Sequence, residues 1–144
     1  IKIKQKIIDE ITSLVTKAKE SLQKINKDDL NQFKMFKNPP HLVKVTSEAA
    51  CILLNKPASF NEFKKLSNND LIVQLGNIAC NSITEKQLNQ LKPYIDNPDF
   101  NKEKVASSST SCAHICEGII SIYNATNHFK KVIEIFQIFN KIIL

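Results

Sequence analysis

The chain has 144 residues and a net charge of +6, from twenty basic and fourteen acidic residues, and every basic residue is lysine. Two Gly and five Pro, with sparse strand signals, point to one all-α domain with room for a single modest core. No apolar run approaches the roughly 18 residues of a membrane span, and four Cys without a signal sequence do not make a disulfide scaffold. A charge of +6 without arginine favours an acidic partner but falls short of a strongly basic nucleic-acid binder.

The chain opens on Ile inside a helical pattern, IKIKQKIIDEI, which suggests a piece of a longer polypeptide. Ile8, Ile11, Val15, Ala18, Leu22 and Ile25 alternate steps of three and four, the spacing of a coiled-coil seam. A second seam, Ile7, Ile11, Leu14, Ala18, Ser21 and Ile25, overlaps it because Ile7-Ile8 and Leu14-Val15 are apolar doublets. The commoner cause of such doublets is a wide stripe facing two neighbours. The sharper reading is a helix able to pair in more than one register.

NKDDLNQFKMF reads as a short helix, and KNPPHLVK then forbids its continuation, because proline lacks the N–H and clashes with the preceding turn. Asn38, Pro39 and Pro40 therefore form a corner, with Pro40 a suitable first residue for the helix HLVKVTSEAACILL. Ser59 with Glu62 has capping-box spacing and opens a helix from Phe60 to Leu66. NDLIVQLGNIAC follows, though Ile72, Val73 and Leu75 fit a strand as well as a helix. Ser82 with Glu85 is a second capping-box pattern, leading TEKQLNQLKPYI. DNPDF is a turn, and Lys102 to Leu144 carries no Pro and only Gly118, so it predicts one helix of about 60 Å.

The end of that helix mirrors the start of the chain. Ala125, Phe129, Val132, Phe136, Phe139 and Ile143 step by four and three. Upstream, Val105, Ser109, Cys112, Cys116 and Ile119 keep the same period, but the phase slips before Ala125, where the helix must change partners or winding. The two arms match in length, so an antiparallel hairpin would set Ile25 opposite Ala125. The expected architecture is a small helical bundle capping an antiparallel two-helix coiled coil. Its parts would be residues 1–25 as first arm, 26–122 as globular cap and 123–144 as second arm.

Chemistry is scarce. In CAHIC, Cys112 and Cys116 share a helix face and could hold a soft metal, but His114 lies about 160° away and no paired motif supplies further ligands. Burial of small side chains explains both cysteines better. His41 and His128 have no spaced carboxylate suggesting a triad, and Ser107 to Ser111 has no evident base. Gly76 and Gly118 alone cannot build a phosphate loop. Neither catalytic residues nor a metal or cofactor are expected. The lysines are more informative. Lys27 and Lys34 lie seven apart on one helix face, and Lys64 and Lys65 sit on a later capped helix. Together they could form a docking surface for an acidic partner.

One block runs Leu22, Ile25, Lys27 and Leu30, then Asn38, Pro39, Pro40, Val43 and Lys44, then Ile52, Leu53 and Leu54. A second runs Tyr94, Asn97, Pro98, Phe100, Glu103 and Val105, followed by Ser109, Cys116 and Tyr123. These blocks resemble the stalk and microtubule-binding domain of dynein heavy chains, with Cys116 closer to the axonemal branch. The resemblance is collinear over essentially the whole chain. It implies a non-catalytic stalk tip of an ATPase motor, without a cofactor of its own. Its partners would be a microtubule of α/β-tubulin and the rest of the heavy chain, with no nucleic acid or membrane. The site would be the cytoplasm and cytoskeleton, including the axoneme of a cilium. Lys27 and Lys34 match basic positions of the family's first contact helix and Lys64 one in its middle segment, with Lys65 beside it. The family's mechanism slides one stalk helix against the other to switch affinity for the track.

Three positions depart from the family pattern. Glu117 stands where Lys is frequent, which weakens attraction to an acidic track. Gly118 stands where Trp is usual, removing a core anchor and adding helix flexibility. Glu134 replaces a common Pro. The rival reading is a structural helical module that docks another coiled-coil protein without binding microtubules.

Overall fold

The computed structural model describes residues 2–25, 27–78 and 82–143, with the side chains of residues 2–4, 27, 29, 33, 68 and 69 outside that description. Among the described residues all regular structure is helical. In chain order the helices are α1 Lys2–Gln23, α2 Lys27–Lys34, α3 His41–Leu53, α4 Phe60–Lys65, α5 Asn68–Gly76, α6 Glu85–Ile95, α7 Lys102–Ala106 and α8 Thr110–Ile143. The helix α8 is the spine. It touches α1 along its length and also α2, α3, α6 and α7, whereas α1 rests mainly on α8 and α5.

The local rules that start and stop these helices are visible one by one. Pro40 precedes α3 in an extended conformation, φ −52° and ψ 150°, so it serves as the cap rather than the first helical residue. At the other end Asn55 adopts a left-handed φ of 58°. Lys56 N then donates to Cys51 O at 2.8 Å and Asn55 N to Ile52 O at 3.0 Å, a Schellman ending that turns the chain toward α4. Ser59 caps α4 by accepting from Asn61 N at 3.1 Å. The expected reciprocal bond from Glu62 is not made, because its carboxylate pairs with Lys65 instead. Ser67 caps α5 through Asp70 N at 3.0 Å, and the segment that also suited a strand is helix from Asn68 onward.

The second capping box falls two residues later than the sequence spacing predicts. Thr84, not Ser82, is the cap of α6, and Gln87, not Glu85, closes the box. The reason is tertiary. Gln87 is buried, its Oε1 accepts from Thr84 N at 2.9 Å, and its Nε2 donates to Ile52 O at 3.0 Å and Leu53 O at 3.2 Å. One amide thus satisfies the start of α6 and the end of α3 together. A glutamate could not donate to those carbonyls.

The single helix expected from Lys102 is divided at Ser107–Ser109 into α7 and α8. Ser107 Oγ donates back to Lys104 O at 2.6 Å, and Ser109 Oγ accepts from Cys112 N at 3.2 Å, as a cap does. Serines competing for backbone groups end one helix and start the next. From Thr110 to Ile143, α8 alone runs about 50 Å.

The pairing of the arms also differs from the expected one. Glu10 meets His128, and Leu22 lies against Gly118, so Ile25 sits opposite the first turns of α8 rather than opposite Ala125. Matching arm lengths were a poor guide, because the last turns of α1 belong to the cap. Ala18, Leu22 and Ile25 join Leu30, Val43, Phe63, Leu71, Leu91, Ile115 and Ile119 in one buried core.

Replacing Gln87 by Met keeps its volume but leaves the α3 carbonyls and the Thr84 N–H unsatisfied. The substitution is expected to cost about 1–3 kcal/mol in urea unfolding. An unchanged midpoint would show that the bridge is not needed.

Candidate functional site

Two surfaces carry the residues singled out from sequence, a lysine-bearing face around α2 and α4, and the seam between α1 and α8. On the first, Lys34 ends α2 and its Nζ donates to Leu66 O, just past α4. The same ammonium lies 5.9 Å from the Phe63 ring centroid. Burial pushes its pKa down. Lys34 is therefore a tie between two helices as well as a charge. Lys64 Nζ stands 5.3 Å over the Phe60 ring, and Lys65 pairs with Glu62 at 3.1 Å while its side chain stays 71 % exposed. The fold thus brings Lys34, Lys64 and Lys65 together. Lys27 begins the same helix as Lys34, but its side chain lies outside the described residues.

The corner expected at Asn38 and Pro39 is joined by residues to which sequence reasoning gave no site role, Lys37, Glu48 and Phe60. Lys37, Asn38, Pro39, Lys44, Glu48 and Phe60 line an open cleft of about 520 Å³. Glu48 is engaged by Tyr94, whose hydroxyl donates to its Oε1 at 2.9 Å; burial and that carboxylate push the phenol up to about 12. Beside the cleft Met35 is 82 % and Phe36 40 % exposed. The signal was present in the sequence, since an apolar pair just before two prolines has no helix face on which to hide.

On the second surface, Ala18, Leu22 and Ile25 are buried, Ile11 and Val15 are half-buried, and Ile8 is 45 % exposed while its neighbour Ile7 is half-buried. This pairing therefore uses Ile7 at the first doublet. Phe129 and Val132 are half-buried, whereas Phe136 and Phe139 are 48 % and 57 % exposed. Two polar contacts mark the level at which the arms leave the cap. His128 Nε2 lies 3.0 Å from Glu10 Oε2, without a directed hydrogen bond, and Lys130 pairs with Glu85 of α6 at 3.1 Å.

The cysteine cluster is part of the core. Cys112 and Cys116 are fully buried on α8, and burial pushes both thiols up to about 12, so they remain protonated. Thiols that hold their protons so tightly are poor nucleophiles and poor ligands. His114, between them in sequence, faces the other way as its spacing requires. Glu117, one turn on, pairs with Lys102 at 3.4 Å, so its charge is partly answered within the fold.

A helical cap built on one continuous helix, with a second helix antiparallel to it, defines a class of coiled-coil-mounted domain. The particular family follows from comparison. The family model described as the microtubule-binding stalk of dynein motor matches residues 2–143, and the chain belongs to that family. It is 32 % identical over 124 residues to dynein axonemal heavy chain 14 of Homo sapiens, a match covering 83 % of this chain and 4 % of that protein. It is 30 % identical over 106 residues to the cytoplasmic dynein heavy chain of Caenorhabditis elegans, covering 72 % of this chain and 2 % of that one. The chain thus spans only a few per cent of the length of these relatives. A solved microtubule binding domain of dynein-c superposes with a TM-score of 0.71 at 22 % identity, covering 86 % of this chain and 90 % of the other, and shows the same fold.

His114 gives this region a pH dependence with a definite sign. Burial, then Lys102 and Lys24, hold its pKa below the ordinary value of 6.5. The unfolded chain therefore binds the proton more readily, and stability falls as pH drops below about 6.5. Thermal melts across that range are expected to show a smaller acid loss for His114→Gln than for wild type. Parallel curves would assign the loss to other groups.

Proposed function

We propose that this domain binds a microtubule through the face formed by α2, α4 and the α2–α3 corner. In this reading its affinity is switched by sliding of α1 against α8. The observation that carries it is the docking of Lys34 on Leu66 and Phe63, which sets the lysines of α2 and α4 on one side of the cap. Lys64 and Lys65 are exposed there, with Lys27 on the same helix as Lys34. The net charge of +6 suits an acidic track. The segment itself performs no catalysis and needs no cofactor. Nucleotide hydrolysis would take place elsewhere in the parent motor and reach the cap through the two arms. Phe136 and Phe139, exposed at the end of α8, would then continue the seam with the rest of the heavy chain. Such a domain works on the cytoskeleton, in the cytoplasm or in an axoneme.

The sliding reading also has support in the seam. Apolar doublets at Ile7-Ile8 and Leu14-Val15 give α1 two seams of similar character, as a two-state element requires.

Lys27→Glu and Lys64→Glu are each expected to weaken cosedimentation with microtubules by about three- to tenfold, and wild-type binding to fall with added salt. Lys34→Glu should in addition lower the melting temperature, because it breaks the tie to Leu66. If wild type pellets with microtubules but neither Lys27→Glu nor Lys64→Glu weakens it, the contact lies on another face. If wild type does not pellet at all, the docking-module reading takes its place.

A further inference from the structure

The apolar seam alone does not choose between registers, since its doublets serve either one. Two other contacts do distinguish them. Gly118 is buried where α1 crosses α8, and a Cβ at that position would lie 3.2 Å from both Cγ and Cδ2 of Leu22 and 3.7 Å from Ala18 O. The absent side chain makes a notch, and Leu22, 2 % exposed, fills it. The notch exists at one level only. A slide of one turn, about 5 Å, brings Leu22 level with His114–Ile115 or with Ser121–Ile122, where the backbone of α8 is covered by side chains. Three turns farther along the arms, Glu10 meets His128 at 3.0 Å. The same slide moves Glu10 to the level of Asn124, which is uncharged, or of Lys131.

We propose that Leu22 seated at Gly118 and Glu10 paired with His128 act together as a two-point register latch. The latch holds α1 in the observed register against the alternatives its seam permits. The proposal rests on the sliding-arm reading and specifies which contacts set the sliding equilibrium in this chain. Both contacts join the same two helices at separate levels, and both are lost in a one-turn slide in either direction. The steric point resists displacement because a packed core leaves no room for Leu22 elsewhere. The polar point is weaker, and it disfavours the slide toward Asn124 more than the slide toward Lys131, which offers Glu10 another basic partner. The helix α8 is fixed to the cap by Lys130–Glu85 as well as by its buried face, so the latch bears on α1.

Disulfide trapping without microtubules tests this directly. Leu14 and Asn124 line one cleft in the observed register, so Leu14→Cys with Asn124→Cys reports it. Leu14→Cys with Ser121→Cys or Asn127→Cys reports a one-turn slide in either direction. A Cys80→Ser background leaves Cys51, Cys112 and Cys116, all buried, as the remaining native thiols. The observed-register pair is expected to form fastest. His128→Gln should reduce its advantage over the displaced pairs by about two- to fivefold, the size of an exposed ion pair. Gly118→Leu, which fills the notch, should reduce it by about tenfold or more. Should Gly118→Leu fail to fold by circular dichroism, His128→Gln, on a partly exposed position, decides. Retention of the full preference in every folded variant would overturn the latch. Because no microtubule enters the experiment, that result would leave the proposed track binding standing, and loss of pelleting by wild type would leave the latch standing.

Discussion

One uninterrupted helix has to be core at one end and arm at the other. From Ser111 to Thr126, α8 is buried on almost every side, and from Lys131 onward it is largely exposed. No cap, proline or bulge separates the two regimes, so the arm and the core share one continuous helix. The buried half can accept neighbours on so many sides because its side chains are small. Ser111, Cys112, Ala113, Cys116, Gly118, Ser121, Ala125 and Thr126 all lie at its surface toward other helices. Leu22 and Val105 approach there, and a narrow strip from His114 through Glu117 to Asn124 is all that meets solvent. The cysteines of CAHIC are explained by this requirement. They are small apolar packing units on a crowded helix, and burial raises their pKa.

The cap around that spine is held by side chains that each answer two demands at once. Gln87 closes the start of α6 and the end of α3, two sets of backbone groups that neither helix can satisfy alone. Tyr94 bonds Glu48 across the same two helices. Lys34 carries charge at the tip and also donates to the carbonyl at the end of α4. The prolines at 39 and 40 act differently, by exclusion. With no helix possible across them, α2 is free to point away from α3, and the Lys34 contact then fixes where it points.

Much of this was legible in the sequence, and the parts that were not share a cause. Element existence followed from hydrophobic period and breakers, and the corner at Asn38–Pro40 followed from the chemistry of proline. The buried residues Ala18, Leu22 and Ile25 fall on the predicted seam. What local pattern could not give were choices decided by distant partners. Ser82 and Thr84 both stand three residues before a residue able to close a box, and only the carbonyls of α3 select Gln87 over Glu85. Ser107 and Ser109 divide a helix whose apolar period runs through unbroken. The register of the arms depends on a glycine notch, which a periodicity reading registers only as a missing side chain. Lys34 looked like a surface charge, and its half-burial comes from α4, thirty residues away.

The geometry also limits how a movement of α1 could reach the lysine face. Between Gln23 and Lys27 the chain has only a short link, so α1 and α2 cannot move far independently. The last turn of α1 is tightened by Lys24 N to Ser21 O at 3.2 Å and Ile25 N to Leu22 O at 3.3 Å, which leaves little slack. At its other end α2 is tied through Lys34 to a helix that α1 does not touch strongly. A slide of about 5 Å along α1 must therefore either tilt α2 about the Lys34 contact or break that contact. Both outcomes change how Lys27 stands relative to Lys64 and Lys65. Burial already disfavours the charge of Lys34, and its contacts with Leu66 O and the Phe63 ring are what hold it there. Ala18, Leu22 and Ile25 lie in the same buried core as Phe63 and Leu91, so a slide of α1 also has to repack that core.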